Sequence, residues 1–391
     1  MNDKFNKTGK IALILLAAGL LLMILSFAAD SKRAFFNYLL MFVYIISIGV
    51  GSLSIVAMDY MTDAIWSTPF RRIAEFFSAS IVLLPLLAVP LIFGMNSLYE
   101  WMHEDAVLND PVIAHKSAYL NSTFFIIRLF LYILIWMIFY FLITGNSQKQ
   151  DKTKEFKYFK KNIKLSMAFG PVLFFTLTFA AIDLMMSLLP HWYSTIYGVY
   201  YFAGSAVGAL ALWSFTSALL TEKKLLHPDI KPNLFHSMGT LFFAMIVFWA
   251  YIAFSQYLLI WYGDIPEETI WIHVRMQNGW QYLSAASIFI QFLIPFLVLM
   301  PGASKSNLKV LKYTGIFMLA AHYLDLYWLV MPGLKRGFIF GWNETGFILF
   351  MVGFFIMVFK YKASKVSITP IEDPKLEHGL AVKLYPDISI D

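Results

Sequence analysis

Ten long runs of apolar residues alternate with short polar segments along this chain of 391 residues, and the alternation predicts its elements. A helix that crosses a bilayer needs about 20 mostly apolar residues. Each run is close to that length or longer, so the pattern predicts an all-α membrane protein with about ten transmembrane helices. The predicted spans are residues 11–29, 34–57, 79–98, 121–144, 163–189, 196–220, 236–262, 281–300, 308–331 and 338–361.

Composition supports this class. Apolar residues make up 59% of the chain and charged residues 14%, and the mean hydropathy is +0.67. Soluble domains are about half apolar and a quarter charged. The first span is not a removed signal peptide, because a second span follows closely and no small-residue cleavage site separates them. Residues 1–361 therefore form a single polytopic membrane domain, and residues 362–391 form a tail.

The basic residues fix the predicted orientation. With the N-terminus inside, the inner segments carry 23 of the 30 Lys and Arg residues and the outer loops carry 6, with Arg128 inside a span. Cytoplasmic loops are enriched in Lys and Arg. Both termini are therefore expected in the cytoplasm. The tail is expected to be an extended strip, disordered or bound to a partner. Because the basic residues lie at membrane edges, the net charge of +6 does not indicate nucleic-acid binding.

One sequence pattern, an aspartate followed by a proline, occurs twice at the same spacing. Asp183 is followed seven residues later by Pro190, and Asp325 is followed seven residues later by Pro332. The two aspartates lie in spans 5 and 9, four helices apart, so both helices run in the same direction. This predicts two parallel four-helix bundles, spans 2–5 (residues 33–195) and spans 6–9 (residues 196–335), flanked by spans 1 and 10. A carboxylate inside a membrane span is a functional candidate by default.

The first aspartate has a predicted partner. Arg128 in span 4 and Asp183 in span 5 both lie roughly 10 Å below the outer ends of their helices at 1.5 Å per residue. The two helices are antiparallel neighbours in sequence, and a buried charge without a partner is very unfavourable. An Arg128–Asp183 ion pair is therefore expected. It either fixes the bundle or belongs to a site on a proton pathway.

In the second half, no arginine occupies the corresponding span, and His322 lies three residues before Asp325 on the same helix face. A histidine and an aspartate can exchange protons near neutral pH, whereas an arginine-bound aspartate cannot easily do so. His322 and Asp325 are therefore the better candidates for proton handling, against the alternative of a buried hydrogen-bonded pair. Glu344, near the outer end of span 10, is a further candidate for this pathway.

The outer loops 99–120 and 263–280 mix acids with aromatic residues. They form either a solvated rim or a docking surface for an extracytoplasmic partner. His191, Trp192 and Tyr193, in the turn after span 5, are either interfacial anchors or contacts with a quinone or a partner. Pro266 and the two glutamates after it have the form of a helix start.

Several kinds of chemistry have no residues to support them. The chain has no cysteine, so disulfides and thiolate-held iron–sulfur clusters are not expected. A transmembrane b haem needs two histidines at one depth on facing helices, and only His322 lies deep in a span. No phosphate loop, nucleophile elbow or metal motif is present. We expect no haem, iron–sulfur cluster, metal or covalently bound cofactor.

Three segments carry a resemblance to a known family. They are residues 181–200 (AIDLMMSLLPHWYSTIYGVY), residues 248–269 (FWAYIAFSQYLLIWYGDIPEET) and residues 325–332 (DLYWLVMP). They resemble the polysulfide-reductase-type (NrfD/PsrC-like) quinol-interacting membrane subunits. Within that family the chain is most similar to the second such subunit of bacterial alternative complex III. The resemblance covers nearly the whole chain, but Leu184 and Leu189 stand where the family pattern leads us to expect Trp and Glu.

The resemblance implies a role in a quinol:cytochrome c oxidoreductase of the bacterial cytoplasmic (inner) membrane. The implied partners are a homologous NrfD-like quinol-binding subunit, an extracytoplasmic iron–sulfur subunit, multihaem and monohaem c-type cytochromes, and lipids. This chain would be an auxiliary subunit without a redox centre, supporting quinol oxidation and a proton pathway. The implied cofactor is a quinone such as menaquinone. The alternatives are a membrane anchor of a molybdopterin- or polysulfide-type reductase, and a secondary transporter with a parallel repeat.

Overall fold

The computed structural model describes residues 2–381, and the described part of the chain is helical with no strand. Ten of its helices are long and apolar enough to cross a membrane, as the hydropathy pattern predicted. We number them α1 to α10: Lys7–Ala29, Ser31–Met61, Thr68–Leu98, Ser122–Thr153, Phe156–Leu188, Tyr197–Glu222, Pro232–Gly263, Trp280–Leu299, Leu308–Leu334 and Trp342–Ala363.

Eight of the helices close into two rings. Helix α2 packs on α3, α3 on α4, α4 on α5, and α5 back on α2, while α6 to α9 repeat the same closure. The two predicted four-helix bundles are therefore present. Helices α2 and α6 form the junction between them and are the most buried of the ten. At Gly51 of α2, an added Cβ would lie 2.6 Å from the Ser205 carbonyl oxygen of α6, so this crossing requires a glycine.

Helices α1 and α10 pack on each other along their length and then against α2 and α3. The flanking helices thus form one pair on one side of the first bundle. Their contact is close because small residues line it. An added Cβ at Gly353 of α10 would lie 2.9 Å from the Ala12 carbonyl oxygen of α1. At the other end of the pair, Arg33 of α2 and Glu344 of α10 form a buried ion pair.

We call the end where α1 begins and α10 ends the termini side, and the opposite end the loop side. The loop side carries three short helices, Glu104–Asn109, Pro111–Lys116 and Pro266–Arg275, of which the last has Glu267 and Glu268 in its first turn. The predicted helix start at Pro266 is confirmed. Acids suit this position because a helix N-terminus carries partial positive charge.

Helix α3 begins eleven residues earlier than predicted, because charged residues in its first turns are buried rather than solvated. Arg71 contacts Asp59 at 3.0 Å, Glu75 at 3.3 Å and Asp373, while Arg72 contacts Asp151 at 2.7 Å. Side chains of opposite charge neutralise one another there. The mean hydropathy of a sequence window does not show this pairing, because it counts every charged residue as polar. Buried arginines are tolerated only when paired in this way.

The tail is not an extended strip over the residues that the structure describes. Residues 364–381 fold against the termini side of the first bundle, where Ile368, Asp373, Lys375 and Leu376 are buried. The tail ends in the short helix Leu376–Ala381. Residues 382–391 lie outside the described part of the chain. The expectation of an extended, disordered strip is therefore wrong for residues 364–381, because charged residues there find partners within this chain, while binding of the tail to a partner stays a prediction.

Candidate functional site

The first bundle contains the predicted ion pair. Asp183 of α5 accepts hydrogen bonds from Arg128 Nε at 2.8 Å and Nη2 at 3.0 Å, and Tyr132 Oη donates to the same carboxylate at 2.9 Å. Arg128 Nη1 donates to the Tyr119 carbonyl oxygen at 2.9 Å, and the guanidinium lies 3.8 Å from the centre of the Tyr119 ring. Both charges are fully engaged, as a two-pronged Arg–carboxylate pair allows.

This geometry favours the structural alternative for Arg128 and Asp183. Both carboxylate oxygens of Asp183 are occupied by donors, and the pair is buried. The guanidinium and the phenol together donate three hydrogen bonds to this carboxylate, which leaves neither oxygen free. The first bundle thus uses its aspartate to hold α4 against α5. Their predicted place on a proton pathway remains a prediction, and the contacts give it no added support.

The second bundle holds its aspartate differently. Asp325 of α9 is 3% exposed, and its Oδ1 accepts a hydrogen bond from Tyr200 Oη of α6 at 2.6 Å. Its Oδ2 has no hydrogen bond of good geometry among the described residues, although the Trp249 indole N–H of α7 faces the same carboxylate. No Lys or Arg in the described part of the chain forms an ion pair with it. A buried carboxylate with a free oxygen and no counter-ion is costly, and such groups are associated with function rather than stability.

His322 lies one turn earlier on α9 and reaches into the junction of the two bundles. Its Nε2 is 2.8 Å from Ser47 Oγ of α2, and its ring centre is 5.3 Å from that of Tyr44. An added Cβ at Gly208 of α6 would lie 2.6 Å from the imidazole, so this glycine makes room for the ring. The imidazole Nδ1 has no hydrogen-bond partner among the described residues.

His322 and Asp325 do not contact each other directly, but they approach the same point. The position that a Cβ of Gly204 would take is 3.5 Å from His322 Nδ1 and 3.5 Å from Asp325 Oδ2. The two atoms without partners therefore both face Gly204 of α6. The prediction that these residues share a helix face is confirmed, and the alternative of a direct hydrogen bond between them is not what the structure shows.

Glu344 does not join this cluster. Its carboxylate accepts from Arg33 Nε at 2.9 Å, Arg33 Nη2 at 2.8 Å, Asn37 Nδ2 at 3.0 Å and the Gly341 backbone N–H at 2.7 Å. All of its acceptor capacity is directed at α2 and at the start of its own helix. Arg33, which the sequence placed in an outer loop, is buried. Glu344 therefore attaches α10 to α2 through its hydrogen bonds with Arg33 and Asn37.

The second bundle also has a buried arginine, which lies in a loop-side helix and not in one of its spans. Arg275 ends the short helix Pro266–Arg275 and is 1% exposed. Its guanidinium donates to the carbonyl oxygens of Trp271, Trp328 and Leu329 and lies 3.8 Å from the Trp271 ring centre. Burial lowers the pKa of Arg275 to about 9, still above neutral pH, so the cation persists. It neutralises the carbonyl end of α9.

The turn after α5 places its three predicted contact residues differently. Trp192 is buried and stacks on Trp271 at 4.8 Å, so it joins the two bundles, and it also lines a cavity on the loop side. His191 is exposed and lies 2.5 Å from Asp110, and Tyr193 is exposed. Desolvation raises the pKa of Asp110, but hydrogen bonds from the Ile113 N–H and His191 outweigh it and hold this pKa below its ordinary value. His191 and Tyr193 remain accessible to a partner.

Three buried polar side chains in the second bundle were given no role from the sequence. Trp249 and Gln256 lie two turns apart on α7, and Gln291 lies in the π-helical segment Ile288–Leu293 of α8. Neither glutamine amide has a hydrogen-bond partner among the described residues, and the Trp249 N–H faces Asp325 without a hydrogen bond of good geometry. Single-turn π-helices are frequent at functional sites. A signal was present, because glutamine is rare inside an apolar span.

A scan against protein-family models and a search of curated proteins found no match to this chain. Its function is therefore argued from its own residues and their geometry.

Proposed function

We propose that this protein is a redox-centre-free membrane subunit of a quinol:electron-acceptor oxidoreductase of the alternative complex III type. It lies in the bacterial cytoplasmic membrane with both termini in the cytoplasm, and its second bundle transfers protons in the half of the membrane next to the loop side. The resemblance of residues 181–200 and 248–269 supports the family, and the distribution of Lys and Arg supports the orientation.

The observation that carries the proposal is the contrast between the two aspartates. Asp183 is locked by an arginine and a tyrosine, whereas Asp325, at the equivalent place in the repeat, has one free oxygen and no counter-ion. If both aspartates served only to attach helices, we would expect the second bundle to contain the same kind of ion pair as the first. The second bundle instead keeps a carboxylate that can gain and lose a proton at Oδ2 while Tyr200 holds Oδ1 in place.

The loop side offers one candidate cavity for the implied quinone. The clearest cavity, about 380 Å³, opens on the loop side between Pro190, Pro332, Trp192 and Trp280. Its charged residues pair with one another or with neighbours, as Lys335 does with Glu100. Both indole N–H groups donate to backbone carbonyl oxygens. The side-chain amides of Gln277 and Asn278 also line the cavity and can donate to a quinone carbonyl. The resemblance assigns quinol oxidation to the homologous partner subunit, and we derive no step through a quinone here.

The test is the substitution Asp325→Asn in the purified complex reconstituted into vesicles. The amide keeps the hydrogen bond from Tyr200 but cannot carry a proton. We expect the number of protons translocated per electron to fall, or turnover to slow by roughly tenfold or more, since positioned acid–base groups contribute at least that much. The complex should remain assembled with its haems reducible.

The control is Asp105→Asn, which removes an exposed carboxylate from the loop side. It should leave both proton yield and turnover unchanged. If Asp325→Asn assembles normally and keeps wild-type turnover and proton yield, Asp325 has no part in proton transfer.

A secondary transporter is the second candidate, and the π-helical segment of α8 with its buried Gln291 favours it. Irregular helices with buried polar groups form substrate sites in such proteins. A haem spectrum and subunit analysis of the protein purified with its native partners separate the classes. Co-purifying c-type cytochromes support the oxidoreductase. A molybdopterin subunit instead indicates a reductase anchor, and a chain that transports solute alone indicates a transporter.

A further inference from the structure

Two buried polar atoms that lack hydrogen-bond partners face the same glycine, Gly204, where α2, α6 and α9 come together. His322 Nδ1 and Asp325 Oδ2 each lie 3.5 Å from the position of a Gly204 Cβ, so they are no more than twice that distance apart. Both side chains are almost fully buried, at 0% and 3% exposure. Neither atom has a hydrogen-bond partner among the described residues, although buried polar atoms normally have one.

The hydrogen bonds around these residues favour an assignment in which both atoms are acceptors. Ser47 Oγ donates its single hydrogen to the Tyr44 carbonyl oxygen at 2.8 Å. We assign the tautomer in which Ser47 accepts from His322 Nε2–H, also at 2.8 Å, so that Nδ1 keeps a lone pair. Asp325 Oδ1 is held by Tyr200, and Oδ2 of the carboxylate is likewise an acceptor.

Two acceptors cannot bond to each other, but one molecule with two donor hydrogens satisfies both. We propose that the surface of Gly204 is a binding site for water, which bridges Asp325 Oδ2 and His322 Nδ1. Water is small enough to lie over a residue without a side chain, and buried waters typically join otherwise unsatisfied polar groups. Two protein ligands are too few for a metal ion, which takes four or more.

The bridge completes a chain of hydrogen-bonding groups from one bundle to the other. It runs from Tyr200 of α6 through Asp325, the water and His322 of α9 to Ser47 of α2. The inference rests on the proposed function, because it gives the proton on Asp325 a route into the centre of the molecule. A proton that leaves Oδ2 passes to the water as the water releases one of its own to Nδ1, and Nε2–H faces Ser47.

The test uses two substitutions of nearly equal volume at one position. In Gly204→Ala the methyl group makes ordinary contacts with both atoms, so the helix packing is preserved while the water is excluded. In Gly204→Ser the hydroxyl can donate to His322 Nδ1 and accept from Asp325 when that carboxyl is protonated. We expect Gly204→Ala to slow proton-coupled turnover of the reconstituted complex by roughly tenfold, and Gly204→Ser to recover most of the loss.

The matched control is Gly170→Ala in α5, where an added Cβ has its nearest neighbour at 3.8 Å and no buried polar group nearby. It should behave as wild type. Equal rates for Gly204→Ala and Gly204→Ser would overturn the water site, because a steric effect does not distinguish them. If Gly204→Ala has no effect while Asp325→Asn does, the bridge is wrong but the proposed function stands.

A direct measurement covers the case in which the variants fail to assemble. A map of the intact wild-type complex at a resolution that shows ordered water should contain density within hydrogen-bond distance of both His322 Nδ1 and Asp325 Oδ2. A direct contact between the two side chains, or a different group donating to either atom, would refute the proposal.

Discussion

At the scale of single residues, the chain uses buried charge in two ways. Arg128 and Asp183 form a complete ion pair, whereas Asp325 and Arg275 are buried in the other bundle without pairing with each other. Arg275 is stabilised by carbonyl oxygens and indole rings, and Asp325 by one tyrosine. Since a buried pair mainly fixes structure and an unpaired acid can change its protonation, the two bundles differ in what they can do.

The Arg128–Asp183 pair leads to a stability prediction. Asp183→Asn should lower the amount of assembled, folded protein, because the buried guanidinium loses its counter-charge at a cost of about 3–5 kcal/mol. The double variant Arg128→Met with Asp183→Leu should recover most of this loss, since neither charge then remains buried. Thermal unfolding of the detergent-solubilised complex measures both effects.

The control is Arg336→Gln, which breaks a half-exposed contact with Asp30 on the loop side. Such surface pairs contribute at most about 1 kcal/mol, so the unfolding temperature should hardly change. A double variant as unstable as Asp183→Asn alone would show that the pair does more than neutralise charge.

The same residues show what a sequence can reveal. The Arg128–Asp183 pair was predictable because both residues stand out inside apolar windows at matching depths. Arg33 and Arg275 were not, because each lies just outside a window and is drawn into the protein by acceptors far away in sequence, such as Glu344 and the carbonyl end of α9. A hydropathy scale treats every charged residue as exposed to water, because it takes no account of partners that lie far away in the sequence.

At the scale of elements, the ten helices were predictable and their ends were not. Helix α4 continues to Thr153, well beyond its predicted end, because its last turns are polar yet remain helical against the tail. The π-helical segment of α8 also has no signal in hydropathy. Small residues decide how closely helices approach, and the sequence does not say which glycines face a partner and which face lipid.

The seam between α1 and α10 gives a prediction at this scale. Gly353→Leu should push the two helices apart, because even a Cβ at this position would lie 2.9 Å from the Ala12 carbonyl oxygen and the Leu16 amide nitrogen. Overpacking of this kind costs about 1–3 kcal/mol. The expected result is a lower unfolding temperature and faster proteolysis between α1 and α2.

Gly145→Leu is the control, because an added Cβ at Gly145 of α4 has no neighbour within 4 Å. Both changes replace a helical glycine with leucine and carry the same gain in helix propensity. Equal unfolding temperatures for the two variants would mean that α1 does not depend on close contact with α10.

At the scale of the whole molecule, the two sides are built differently. The loop side joins the bundles through stacked aromatics, with Trp192 of one turn against Trp271 of the next loop. The termini side joins distant segments through charge, where Arg71 contacts Asp59, Glu75 and the tail residue Asp373. The tail thereby covers the cytoplasmic end of the first bundle, on the proposed orientation.

The tail contact yields the last prediction. Asp373→Asn removes one of three acids around Arg71, and Asp59 and Glu75 remain to neutralise the guanidinium. The bundle should therefore stay folded while the tail loses a charge-assisted hydrogen bond, a loss of about 1.5–3 kcal/mol in the docking of residues 364–381. That loss corresponds to a roughly tenfold or greater rise in the undocked population, because each 1.4 kcal/mol is a factor of ten.

Limited trypsin digestion of sealed, inside-out vesicles measures this population, since Lys365 and Lys375 lie in the docked tail and Lys375 is buried while docked. Cleavage at Lys375 should accelerate about tenfold in Asp373→Asn, in proportion to the open population. Glu377→Gln, at an exposed position of the same helix, should leave the rate unchanged. Because residues 364–381 contact the end of the first bundle, at Asp63, Arg71 and Asp151, proton transfer through Asp325 should persist in Asp373→Asn. A parallel loss of proton yield would instead show that the termini side and the second bundle act together.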